Sequence, residues 1–242
     1  MSTNILFIFE GAKTERQIVN QLQKEFFITE NTIIISVYCG EIYQLYKEIS
    51  EDKDLDTFNL IKNRNQNAKL LKGYNRNDFA EIYMFFDYDG HSSIADDEKL
   101  CELLEFFDEE TDKGKLYISY PMVESLKHIS CHKAFRDLNV ECKKNINYKK
   151  IVHEECLKEL QDFRKYEIRI WKQVIDTHLK KMNHIVFDLF EFPRKIISQS
   201  TIFCKQIKKH INNECPTVAV LCAFPIFVHD YYGNEKTKKL LH

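Results

Sequence analysis

The chain has 242 residues, 44% of them hydrophobic, with 18 Phe and 12 Tyr, which argues against wholesale disorder and suits one large domain or a domain with a sizeable appendage. Its 35 basic and 37 acidic residues leave a net charge of -2, so general basicity does not equip it to coat a polyanion, although an enzyme needs only a local basic groove. The eight cysteines are irregularly spaced without a Cys-x-x-Cys pair, which argues against a zinc ribbon. Met1-Ser2-Thr3-Asn4 leads straight into an apolar run with no basic stretch before it, so reduced thiols and a cytoplasmic location are expected. No apolar run approaches the ~20 residues of a membrane span.

Asn4 to Phe9 is a continuous apolar run of the kind buried on both faces of a parallel sheet. It stops at Glu10-Gly11, and Ile18, Val19, Leu22 and Phe26 then mark a helix whose start, Thr14 with Gln17, fits a capping box. Thr32 to Tyr38 reads as a second strand, closed by Cys39-Gly40 and followed by helical spacing over residues 41–51. The polar interval 52–79 reads as a loop or surface helical insertion. Ala80 to Phe86 is the third strand, and Ile94 to Phe107 an acidic amphipathic helix. Lys115 to Tyr120 is a fourth strand, after which Pro121 opens a helix containing Glu124.

This alternation predicts an α/β fold with a mostly parallel, Rossmann-like sheet flanked by helices in residues 1–132. Residues 133–242 form a mainly helical C-terminal half packed on it, with helices over 149–182 and Arg194 to Ile211. Thr217 to Phe224 is a strand or a buried helix, because periodicity does not separate the two over so short a run. His128, Cys131 and His132 lie close in sequence but lack a second ligand cluster, and are read as ordinary residues.

The chemistry is expected at the carboxyl ends of the strands, where open α/β sheets bind ligands. Asp87 and Asp89 are spaced i, i+2 at the end of the third strand, so they share a face while Tyr88 points away. Glu10 ends the first strand, and adjacent first and third strands would bring the three carboxylates into one crevice. Three acids held together repel unless cations intervene, which points to Mg²⁺ or Mn²⁺. Such metals activate water and stabilise a phosphodiester transition state. Lys13 and Lys127 are candidates for phosphate contact or plain surface, and His91 for a proton shuttle or a turn residue. Glu15 and Glu124 each sit in a first helical turn, where an acid is also favoured by the helix dipole.

Glu10-Gly11-x-x-Thr14-Glu15 after the first strand and Asp87-x-Asp89 after a later one resemble the Toprim domain. The small size and Tyr120-Pro121-Met122-Val123-Glu124-Ser125-Leu126 look most like compact RloB-type Toprim-like proteins, with a wider likeness to OLD-type nucleases. The resemblance covers about the first half of the chain. It implies a Toprim-like fold, Glu10 as general acid/base or metal ligand, Asp87 and Asp89 as Mg²⁺ ligands, Glu15 as a supporting acid, and Glu124 as the glutamate of a Pro-x-x-Glu element. The implied activity is metal-dependent endonucleolytic hydrolysis of DNA or RNA in bacterial anti-phage defence. The alternative is a non-catalytic Toprim-like binding or sensor subunit regulated by a partner ATPase.

Overall fold

The computed structural model describes residues 3–11, 13–27, 32–40, 42–51, 56–91 and 95–241. Apolar runs with flanking breaks produce strands β1 (Thr3–Phe9), β2 (Thr32–Tyr38) and β3 (Glu81–Asp87), separated by α1 (Thr14–Leu22) and α2 (Ile42–Glu51). The interval before β3 is a helical insertion, with α3 (Thr57–Lys62), α4 (Asn65–Ala68) and a 3-10 turn (Arg76–Asp78). After α5 (Asp97–Phe106) a short strand β4 (Asp108–Glu109) turns back into β5 (Gly114–Ser119). The sheet order is β2-β1-β3-β5-β4. β1 runs parallel to both β2 and β3, and β4 antiparallel to β5. The expected α/β fold with a mostly parallel sheet is therefore present, and β4 is the antiparallel edge that short sequence windows did not disclose.

By compactness the chain falls into two units, Met1–Phe86 with Asp96–Leu116, and Asp87–Ala95 with Tyr117–His242. In the first, Phe7, Phe9, Phe85 and Tyr83 pack ring against ring, with centroids 5.1 to 6.0 Å apart. Buried Asn67 completes β2: its amide accepts from Tyr38 N–H at 3.0 Å and donates to the carbonyls of Tyr38 (2.7 Å) and Ile61 (3.0 Å). Backbone groups at a strand end are costly to bury unpaired, and this side chain meets those of Tyr38. The start of α1 differs from expectation. Lys13 holds the cap position without a side-chain cap and Thr14 is already helical, so Thr14 forms no capping box with Gln17.

In the second unit the Tyr120-Pro121 peptide is cis and a 3-10 helix spans Val123–Lys127. The helical turn thus begins two residues after Pro121 rather than at it. Next come α6 (His132–Asp137), β6 (Asn139–Glu141), α7 (Tyr148–Glu155), α8 (Ile168–Phe187) and α9 (Gln199–Gln206), then β7 (Thr217–Ala219) and α10 (Ala223–Leu241). The expected helix over 149–182 is two helices, because residues 156–167 turn through short 3-10 segments. The ambiguous Thr217–Phe224 run resolves into both alternatives. Thr217–Ala219 pairs antiparallel with β6, Leu221 exchanges both backbone hydrogen bonds with Tyr120, and the helix starts at Ala223.

Buried polar side chains of α8 and α9 serve backbone groups of their neighbours. Gln206 donates to Ala219 O at 2.8 Å and accepts from Ala219 N–H at 2.9 Å, acting as one more rung beside β7. Lys181 donates to the carbonyls of Arg136 (2.6 Å) and Leu138 (3.0 Å), and burial pushes its pKa down to about 7. His178 accepts from Cys222 N–H at 3.1 Å, so its other nitrogen carries the proton and donates to Leu126 O at 3.3 Å. Burial pulls the His178 pKa down to about 3.

A base whose folded pKa lies below its unfolded value stabilises the fold above the unfolded value and loses that contribution as pH falls. His178, from 6.5 to about 3, places the loss below pH 6.5. His210, pulled to about 4, and His229 act with the same sign. Urea unfolding measured between pH 7.5 and 5 should show stability falling on the acid side, with His178 alone adding up to ~1.4 kcal/mol per pH unit. The His178→Gln variant should be less stable at pH 7.5 and show a shallower acid slope. An unchanged slope in the variant would remove His178 from this role.

Candidate active site

The expected site residues fall into two sets. Glu10, Lys13 and Glu15 belong to the β1–α1 turn of the first unit. Half-buried Glu10 leaves β1 with its N–H 3.4 Å from Phe85 O. Glu15 is buried and folds its carboxylate over Gly11, where a Cβ would lie 2.9 Å from Oε1. A side chain at position 11 would have to displace the end of the Glu15 side chain. Lys13 is exposed just before α1.

Asp87, Asp89, Glu124 and Lys127 belong to the second unit. β3 ends at Asp87, and the alternation persists one step further, with Tyr88 buried between half-buried Asp87 and Asp89. The Tyr88 N–H reaches Ser119 O at 2.9 Å, which carries the β3–β5 pairing to the strand ends. Asp87 Oδ1 accepts from Val123 N–H at 2.8 Å. Val123 opens the 3-10 helix, where a backbone N–H has no partner within the helix, so the carboxylate fills a vacant acceptor position. Asp89 Oδ1 lies 2.7 Å from His91 Nδ1, both side chains about one-third exposed at 33% and 37%.

Glu124 immediately follows Val123 and is only 6% exposed. Its Oε1 is 3.3 Å from Lys149 Nζ, while its buried Oε2 has no hydrogen-bond partner. A buried carboxylate oxygen left unpaired is costly unless a cation or water meets it. Lys127, on the same 3-10 helix, donates to Gln161 O at 3.3 Å and lies 5.0 Å over the Phe163 ring. Its ammonium is thus held against the helical half.

Two residues that the sequence reading passed over complete the surroundings. Lys143 donates to Tyr88 Oη at 3.0 Å and sits 5.4 Å over its ring, while Lys149 meets Glu124. Lys149 is placed by its neighbour Tyr148, whose buried hydroxyl is 2.9 Å from His128 Nδ1. His128 Nε2 is 3.0 Å from the Glu155 carboxylate. An ionised carboxylate accepts only, so Nε2 carries a proton, and in a neutral ring Nδ1 accepts from Tyr148. Burial first, and then neighbouring acids including Glu124 and Asp87, hold the Tyr148 phenol well above its ordinary range. The doubled lysines at 143–144 and 149–150 were the available signal in the sequence. Their partners lie 55 residues away for Lys143–Tyr88.

Among the described residues, no group of three or more His, Cys, Asp or Glu side chains is arranged to hold a metal ion. Mg²⁺ is commonly bound by one or two carboxylates together with waters and substrate phosphates. Asp87, Asp89 and the unpartnered Glu124 Oε2 are hard oxygen donors of that kind. No family model, curated protein or solved structure matches this chain. No helix among the described residues is long and apolar enough to cross a membrane.

Gly90 follows the pair and admits no side chain. A Cβ there would stand 2.7 Å from the Tyr88 ring and 2.8 Å from the Cys142 backbone oxygen. Backbone yields less readily than a flexible side-chain end, so Gly90→Ala is expected to destabilise the fold by ~1–3 kcal/mol, read as a lower urea midpoint. A midpoint equal to wild type would show that the 87–91 turn does not pack as described.

Proposed function

We propose that this chain is a Mg²⁺- or Mn²⁺-dependent nuclease that hydrolyses phosphodiester bonds in nucleic acid. The observation that carries the proposal is the joining of the β3 end to the 3-10 helix. Asp87 is bonded to Val123 N–H, and the adjacent Glu124 keeps a buried carboxylate oxygen without a partner. A bound divalent ion would supply Lewis-acid polarisation and an activated water. Asp87 and Asp89 would hold that ion and orient it. Glu124 would accept a proton through its unpartnered oxygen, with Lys149 steadying the charge of the other. Glu10 takes the acid–base or ligand role that the Toprim resemblance gives it, and Glu15 supports it. A part in bacterial anti-phage defence follows from the same resemblance, and a cytoplasmic location from the scattered cysteines.

A second reading, a non-catalytic binding subunit worked by a partner ATPase, is favoured by one observation. Asp87, Asp89 and Glu124 each already have a protein partner, in Val123, His91 and Lys149.

Incubation of the purified protein with plasmid, single-stranded DNA and tRNA in Mg²⁺ or Mn²⁺ separates the two. Metal-dependent cleavage is expected, reduced about 100-fold or more in Asp87→Asn, Asp89→Asn and Glu124→Gln. Glu10→Gln tests the first-unit glutamate in the same assay. Absence of cleavage with either metal, or cleavage that survives Asp87→Asn and Asp89→Asn, would overturn the nuclease reading.

A further inference from the structure

A chain of net charge -2 that acts on a polyanion must gather its basic residues locally. Lys127 does not supply that charge, because it is held by Gln161 O and Phe163. We infer that the segment from Lys143 to Lys150 is the surface that binds the sugar–phosphate backbone of a nucleic acid, an inference that rests on the proposed nuclease function and names its substrate contact.

Three attachments seat this segment beside the acids. The Cys142 carbonyl packs on Gly90, directly after Asp89. Lys143 donates to the hydroxyl of Tyr88, the residue between the two aspartates. Lys149 reaches Glu124. Between them the backbone turns at Asn147, whose φ of 51° is in the left-handed region that asparagine tolerates, and whose N–H is met by the Asn145 side chain at 3.0 Å. The Tyr148–His128–Glu155 hydrogen bonds then fix the start of α7. A segment so anchored presents its lysines without a large ordering cost.

The lysines are displayed outward. The side chains of Lys144, Lys149 and Lys150 are 78%, 70% and 76% exposed. Lys144 and Lys150 have only loose neighbours, with Glu141 and Glu154 each 3.9 Å away, contacts that water and salt screen heavily. Ammonium groups on long stems suit phosphates as point charges and carry no base preference. The shared ligand chemistry is therefore the phosphodiester backbone, whether deoxyribose or ribose.

Fluorescence anisotropy in EDTA reads binding apart from cleavage, using a labelled single-stranded DNA, the RNA of the same sequence, and duplex DNA. Lys144→Glu/Lys150→Glu is expected to weaken binding of the preferred probe by about tenfold or more. It should also flatten the dependence of log K on log salt by about 1.4 on a single strand or about 1.8 on a duplex, for two lost phosphate contacts. Lys208→Glu/Lys238→Glu, two exposed lysines outside the segment, matches the change in net charge and should cost far less. Circular dichroism on both variants checks that the fold is kept. Wild-type protein that binds none of the probes at low salt, an unchanged affinity and slope in the Lys144/Lys150 variant, or an equal loss in the control variant would each overturn the inference. Selective loss of binding in a protein that cleaves nothing would sink the nuclease reading and leave this surface standing.

Discussion

The hydrogen bond from Val123 N–H to the Asp87 carboxylate, 2.8 Å long, is the constraint on which the second unit's acidic turn depends. It joins the last residue of β3 to the first residue of the 3-10 helix, two points 36 residues apart in sequence. A bond to an ionised acceptor is roughly twice as strong as a neutral one. With Asp87 held this way, strand alternation sends Tyr88 inward against Tyr120 and Phe203, with ring centroids 5.8 and 5.9 Å away. Asp89 is returned to the half-exposed side, and Glu124 is carried one residue beyond the same bond.

Charge balance around this turn is local. His91 meets Asp89, Lys149 meets Glu124, and Lys143 lies over Tyr88 between the two aspartates. Lys143 and Lys149 are exposed, and the His91 side chain is about one-third exposed. Exposed ion pairs are weak, on the order of 0–1 kcal/mol. A divalent ion or a phosphate can therefore exchange partners with them at small cost. The buried Glu124 Oε2 differs, since water does not reach it freely and its polarity stays uncompensated inside the fold.

Much of the sheet was legible because β1, β2 and β3 are written as apolar runs with clear stops at Glu10, Cys39 and Asp87. The neighbouring placement of β1 and β3, a condition of the expected crevice that the sequence left open, is present in register from Ile5–Glu81 to Phe9–Phe85. The antiparallel β4 escaped notice because two acidic residues, Asp108 and Glu109, carry no strand pattern and are paired only by the return of β5. The Thr14 cap failed because Lys13 already adopts helical dihedrals, so the helix begins before a capping hydroxyl is in position. The contacts of Lys143, of Lys149 and of the Tyr148–His128–Glu155 chain were invisible for another reason. Their partners come from distant segments, and no local periodicity encodes a contact between Lys143 and Tyr88.

Divalent-metal binding by Asp87 and Asp89 is the claim on which the functional account turns, and calorimetric titration with Mn²⁺ tests it most directly. The account predicts a saturable binding heat in the wild-type protein that disappears in Asp89→Asn and in Asp87→Asn while each variant keeps its circular dichroism spectrum. A wild-type titration without saturable heat, or one that both variants reproduce unchanged, would contradict it.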